Sequence, residues 1–135
     1  MQISGWGRYP RIQAKLSTPR SEAALAALLD GGPLIARGMG RAYGDSALAA
    51  HTVSMLRLNH MIDFDPQTGQ LVAEAGVTLQ EIIRAFLPRG WFLSVTPGTQ
   101  FVSLGGAIAA DVHGKNHHSE GAFSAFVDWF DLMGP

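Results

Sequence analysis

The chain has 135 residues, of which 47% are hydrophobic and 16% charged, and its formal net charge is −1. That length suits one domain able to bury about two-thirds of its unfolded surface. Scattered Arg and Lys on a near-neutral chain give no electrostatic footprint for nucleic acid or an anionic membrane, and zero cysteines exclude disulfides, thiolate metal sites and cysteine nucleophiles.

Residues 1–13, with Trp6 and Tyr9, read as an irregular aromatic lead-in. Neither a secretory leader pattern nor an apolar run of the ~20 residues that a membrane helix needs is visible, so a cytoplasmic location is expected. Residues 14–17 predict a short strand. Thr18 and Pro19 then predict a helix start, with Thr18 as the cap and Pro19 at the first helical position, where its missing N–H costs nothing. Leu25, Leu28 and Leu29 form that helix's apolar face, and Gly31, Gly32 and Pro33 end it. Residues 34–36 predict a buried strand running into a glycine-rich loop, and residues 53–58 predict another strand. Residues 61–65 and 70–74 predict a hairpin around a turn bearing Pro66 and Gly69. Thr78 and Glu81 have capping-box spacing, which predicts a helix from Thr78 to about Leu87 with Leu79, Ile82, Ile83 and Phe86 on its apolar stripe. Residues 91–95 predict a strand, Ser103 caps a short helix over 104–110, and residues 126–133 predict a last strand. Strands alternating with helices predict an α+β domain spanning residues 1–135. A strand that stops beside Gly134 and Pro135 suggests a truncated domain, whose unpaired sheet edge would invite self-association.

Two glycine-rich segments carry the chemistry. The first comprises Ala36, Arg37, Gly38, Met39, Gly40, Arg41, Ala42, Tyr43, Gly44, Asp45 and Ser46. The second runs from Gly98 and Thr99 through Ser103, Leu104, Gly105, Gly106 and Ala110 to His113, Gly114, Lys115, Asn116, His117 and His118. Glycine backbone approaches a phosphate or a flat ring closely, and its amides can aim at anionic oxygens. Two such segments in one small domain suggest a ligand with a phosphate middle and a planar end, a dinucleotide, and flavin is the favoured one.

Gly38, Gly40 and Gly44 follow a G-x-G-x-x-x-G spacing with no helical pattern after it, which excludes the nicotinamide fingerprint. No glycine-lysine-Ser/Thr triplet makes a Walker loop. What remains is either an anion nest, with Arg37 and Arg41 supplying charge, or a plain turn-rich connection. Gly105 and Gly106 each cost a helix roughly 0.8–1 kcal/mol relative to alanine, and either a flat ligand on the backbone or close helix packing accounts for them. His113 and His117 have i, i+4 spacing, but Gly114 disfavours a helix there and the glutamate of the zinc-protease pattern is missing. No metal site is expected, and the histidines read as polar groups lining a redox pocket, with Lys115 as a compact positive charge. Tyr43 and Trp6 are available to stack on an aromatic ring.

Taken together, the run from Gly38 to Asp45, the Gly98-Thr99 pair, the run from Gly105 to Ala109 and the string from Asp111 to Ser119 resemble the FAD-binding, PCMH-type domain of the vanillyl-alcohol oxidase superfamily. Within it the chain is most similar to the decaprenylphosphoryl-β-D-ribose oxidase group, to which the His-Gly-Lys-Asn-His-His string is quite specific. The resemblance implies a mixed α and β FAD-binding fold. It implies that residues 36–46 wrap the FAD diphosphate and ribose, and that Gly98 and Thr99 contact the cofactor near the flavin. Ser103, Leu104, Gly105 and Gly106 match a second backbone cradle. Ala110 and His113 match positions beside the isoalloxazine, and Gly114 and Lys115 face the substrate. Many members carry a histidine in the first loop that bonds covalently to flavin; none stands between Gly40 and Gly44, so non-covalent FAD is implied. The implied reaction oxidises a sugar CH–OH, the 2-hydroxyl of a polyprenyl-phosphate pentose, with hydride transfer to flavin N5. Full-length relatives continue into a substrate domain that this chain lacks, and no catalytic residue is assignable within it.

Overall fold

The computed structural model describes residues 1–42, 47–93, 99–112 and 122–133. The chain folds as two compact units, Met1–Leu58 with Leu132–Pro135, and Asn59–Asp131. Strands and helices are mixed in both, as the α+β reading requires. No helix among the described residues is long and apolar enough to cross a membrane.

The first unit opens with an antiparallel pair, β1 (Gln2–Ser4) and β2 (Arg11–Gln13), in which Ile3 sits across from Ile12. The sequence reading had no element here. Three-residue strands are too short to show an alternating pattern, and what pairs them is the cross-strand contact rather than propensity. Behind them lies a parallel three-stranded sheet of order β3-β5-β4, formed by β3 (Lys15–Ser17), β4 (Ile35–Arg37) and β5 (His51–Ser54). Leu16 and Ile35 both register with Thr52 of the central strand. Thr52 and Val53 are 0% exposed, and the Thr52 hydroxyl donates to the Ala49 carbonyl at 2.9 Å, which removes the cost of burying it.

Helix α1 (Glu22–Leu29) makes the crossover from β3 to β4. Its cap is Ser21, whose side chain accepts from the Ala24 amide, and not Thr18 as expected. The residue before a proline is pushed away from helical angles, and Pro19 itself is buried as an anchor ahead of the helix. Leu25, Leu28 and Leu29 are half-buried on one face, as their spacing predicts.

The second unit holds the hairpin of β6 (Met61–Phe64) and β7 (Leu71–Ala73). A register shift between Met61 and Asp63 leaves Ile62 as an extra residue, 62% exposed, the signature of a β-bulge. Helix α2 (Leu79–Phe86) starts at the predicted capping box: the Thr78 side chain accepts from the Glu81 amide at 3.2 Å, and the Glu81 carboxylate accepts from the Thr78 amide. After a single 3-10 turn, Leu87–Arg89, the chain stops at Gly90, which has φ +85. Gly90 N–H bonds to Leu87 O and Trp91 N–H to Phe86 O, a Schellman-type closure. That closure uses the Trp91 amide, and residues 91–93 form no strand, contrary to expectation. The Trp91 ring instead packs edge-on to Phe64, which also lies 4.4 Å from Phe86 between ring centres.

Helix α3 (Leu104–Ala109) is capped by Ser103 as expected. Val77, Leu79, Ile82, Phe86, Ala107 and Phe123 make the core of this unit. The predicted last strand is absent. Phe123–Phe126 is one 3-10 turn, and residues 127–133 form no regular element. An apolar run needs a partner strand to become a sheet element, whatever its propensity. Leu79→Ala, which empties a site with 0% exposure, should lower the unfolding free energy in urea by about 2–5 kcal/mol.

Candidate functional site

In the first unit the glycine loop leaves the carboxyl end of β4. The ladder closes with Met55 N–H donating to Arg37 O at 2.9 Å, after which Gly38, Met39 and Gly40 bend away from the sheet. Among the described residues no acceptor is found for the main-chain amides of Gly38, Met39 and Gly40, which belong to half-buried residues. These amides are at the half-buried rim of the unit, where they are free to take water or an acceptor from a ligand. Successive amides of this kind are the material of an anion nest.

The loop's course is set by two arginines. Arg37 Nη1 donates to the Ser4 carbonyl at 2.8 Å, and the guanidinium lies under Gly40. A Cβ at Gly40 would stand 2.4 Å from Arg37 Nη2, the movable end of a long side chain, so it is the backbone angle, φ +71, that requires glycine. Arg37, expected to supply phosphate charge, is therefore engaged in holding β1 to the loop. Arg41 lies with its guanidinium carbon 4.9 Å from the centre of the Trp6 ring, and Trp6 N–H donates to Ala42 O at 2.9 Å. Trp6 thus stacks on a cation of this chain. Ala36 is the middle residue of β4. Tyr43, Gly44, Asp45 and Ser46 lie outside the described residues.

The second segment belongs to the other unit and uses its amides differently. Leu104 N–H donates to Val77 O at 2.7 Å, Gly105 N–H to Ala75 O at 2.9 Å, and Gly106 N–H to Ser103 Oγ at 3.2 Å. All three donors at the start of α3 have protein acceptors, so these residues offer a ligand no open amides. A Cβ on Gly105 would come within 2.9 Å of Ala75 Cβ and 3.3 Å of Ala75 O, so close packing against residue 75 accounts for that glycine. Ser103 is 3% exposed and bridges Thr78, tying the caps of α2 and α3 together. Thr99 Oγ1 accepts from Phe101 N–H at 3.1 Å, and Ala110 is the exposed C-cap of α3. Phe123 N–H to Val112 O and Ser124 N–H to Asp111 Oδ1 hold residues 111–112 beside 123–124, the described residues flanking the histidine-rich stretch. Gly98, His113, Gly114 and Lys115 lie outside the described residues.

A glycine-rich loop at the carboxyl end of a parallel sheet is where ligand-binding α and β domains hold their nucleotides. The family model described as FAD binding domain matches residues 14–135, and the chain belongs to that family; its cofactor is FAD. The chain is 40% identical over 140 residues to decaprenylphosphoryl-β-D-ribose oxidase of Mycolicibacterium smegmatis, covering 98% of this chain and 30% of that protein. It is 29% identical over 118 residues to an FAD-linked oxidoreductase of Mycobacterium tuberculosis, covering 84% of this chain and 26% of that protein. Among solved structures, cholesterol oxidase from Brevibacterium sterolicum superposes with a TM-score of 0.72 at 16% identity, covering 84% of this chain and 24% of that one. Alkyldihydroxyacetonephosphate synthase superposes at 0.67 with 21% identity, covering 82% and 23%. The chain therefore spans less than a third of the length of these relatives.

The described part of the first loop fits the cofactor, because its three open amides are donors suited to the anionic bridge of a dinucleotide. Trp6 escaped assignment as a loop contact because nothing in the spacing of residues 6 and 41 signals it. Gly40→Ala should lower the melting temperature and weaken FAD binding about tenfold, since an L-residue at φ +71 costs about 1–2 kcal/mol. Gly105→Ala, crowded against Ala75, should instead lower thermal stability with a smaller change in FAD affinity; melting curves and FAD titrations of both variants check the contrast.

Proposed function

We propose that this chain is the FAD-binding segment of a flavin-dependent oxidoreductase that oxidises a secondary alcohol of a sugar, the 2-hydroxyl of a polyprenyl-phosphate pentose being the favoured substrate. The substrate class rests on the 40% identity to decaprenylphosphoryl-β-D-ribose oxidase over 98% of the chain. The observation that carries cofactor binding is the set of open amides on Gly38, Met39 and Gly40. These amides grip the diphosphate, and the remaining residues 41–46 extend the wrap toward the ribose. Arg41 adds positive charge at the loop, where it complements a diphosphate. Gly98 and Thr99 approach the flavin end. Gly106 and Ala110, both exposed, present little bulk where a flat ring can lie, and Ser103, Leu104 and Gly105 hold that stretch in place. His113 stands beside the ring, and Gly114 and Lys115 border the substrate.

Flavin, when bound, supplies the two-electron chemistry by accepting a hydride at N5. The chain's own part is binding and orientation. No histidine stands between Gly40 and Gly44, which supports non-covalent retention. The lack of cysteine accords with a reducing, cytoplasmic setting.

Mixing the purified chain with FAD and desalting should leave flavin absorbance with the protein. ADP should compete and riboflavin should not, because the grip is on the diphosphate. A colourless protein after desalting, together with no heat of binding, rules the reading out.

A second reading, a self-associating module, is favoured by Phe126, Trp129 and Phe130, which are 47%, 63% and 60% exposed. Association would rest on these apolar side chains, since no strand forms there. Sedimentation at several concentrations should then show a dimer; a strict monomer excludes it.

A further inference from the structure

The N-terminal strand touches the glycine loop at both of its shoulders. Ser4 O accepts from Arg37 at the loop's start, and Trp6 N–H donates to Ala42 O at its end. Between these points the Trp6 ring carries the Arg41 guanidinium at 4.9 Å. Trp6 is 51% exposed, so filling the core does not explain a tryptophan at this place. A glycine-rich loop has many backbone states to lose on binding, and holding it beforehand in one of them raises affinity without any new ligand contact. The attraction of a guanidinium for an indole face is suited to that task, because it fixes the arginine, and with it the backbone that carries it.

We propose that Trp6 is a positioning residue for the cofactor loop: its main chain holds Ala42 and its indole holds Arg41, presetting the amides of Gly38 to Gly40 for the diphosphate of a dinucleotide. The proposal rests on the FAD reading above and adds to it a brace supplied from outside both glycine segments. In this role Trp6 acts through the loop, by way of Arg41 and Ala42.

The test is a set of FAD and ADP titrations by calorimetry on the unaltered chain, Trp6→Leu, Trp6→Phe and Arg41→Met, with far-UV circular dichroism on each. Trp6→Leu removes the aromatic face and should weaken FAD and ADP alike by about fivefold. Trp6→Phe keeps a face for the cation and should stay within about twofold of the unaltered chain. If FAD binds Trp6→Leu as tightly as the unaltered chain, the proposal is overturned while the FAD reading stands. Equal losses in the Leu and Phe variants overturn it too, since bulk rather than the cation contact would then be what matters. Should Trp6→Leu fail to fold, Arg41→Met decides, because Arg41 is exposed and its replacement leaves the core untouched; affinity unchanged in that variant overturns the proposal. Failure of the unaltered chain to bind either nucleotide defeats the FAD reading and the brace with it.

Discussion

The hydrogen bond from Arg37 Nη1 to the Ser4 carbonyl, 2.8 Å long, decides where the first glycine loop can run. With its guanidinium drawn back toward β1, Arg37 occupies the space in which a Cβ at Gly40 would lie, and the chain passes over it at φ +71. The loop is thereby carried off the carboxyl end of β4, and among the described residues the amides of three successive residues have no acceptor. Arg37, an arginine of the glycine-rich segment, thus also ties that segment to β1 through the Ser4 carbonyl.

The two glycine-rich segments look alike in composition and use their backbones in opposite ways. In residues 38–40 the amides have no acceptor among the described residues, and glycine supplies a left-handed turn. In residues 104–106 every amide has one, and glycine supplies closeness: Gly105 lies against Ala75, and Gly106 donates to the Ser103 hydroxyl. The first arrangement suits an anion. The second is packing, because a helix start whose donors are consumed by Val77, Ala75 and Ser103 has no amide left to offer.

The second unit shows how such a surface is kept rigid. Ser103 caps α3 and bridges Thr78, which caps α2, so the two helix starts share one buried polar joint. Below it Val77, Leu79 and Ala107, all 0% exposed, lie in the core. Trp91 then closes the open side of the hairpin: its ring packs against Phe64 and leaves Gly69, at φ +77, no room for a side chain. Each of these contacts joins residues far apart in the chain, which is why the joint resists local fraying.

Some of this was determined by the sequence alone. The capping box at Thr78 and Glu81, the cap at Ser103, the hairpin around Gly69 and the apolar stripe of α2 were legible because each depends on neighbours within four residues or on a turn's local angles. The same holds for the family's signature strings. Contacts across long separations were not legible. The pairing of Ile3 with Ile12, the use of the Trp91 amide to close α2 and the stacking of Arg41 on Trp6 leave no periodic trace. Residues 126–133 have strand composition and lack a strand because composition sets a preference, whereas a ladder needs a second backbone to receive its hydrogen bonds. Which amides stay open for a ligand is likewise a tertiary matter, settled by whether another part of the fold brings a carbonyl within reach.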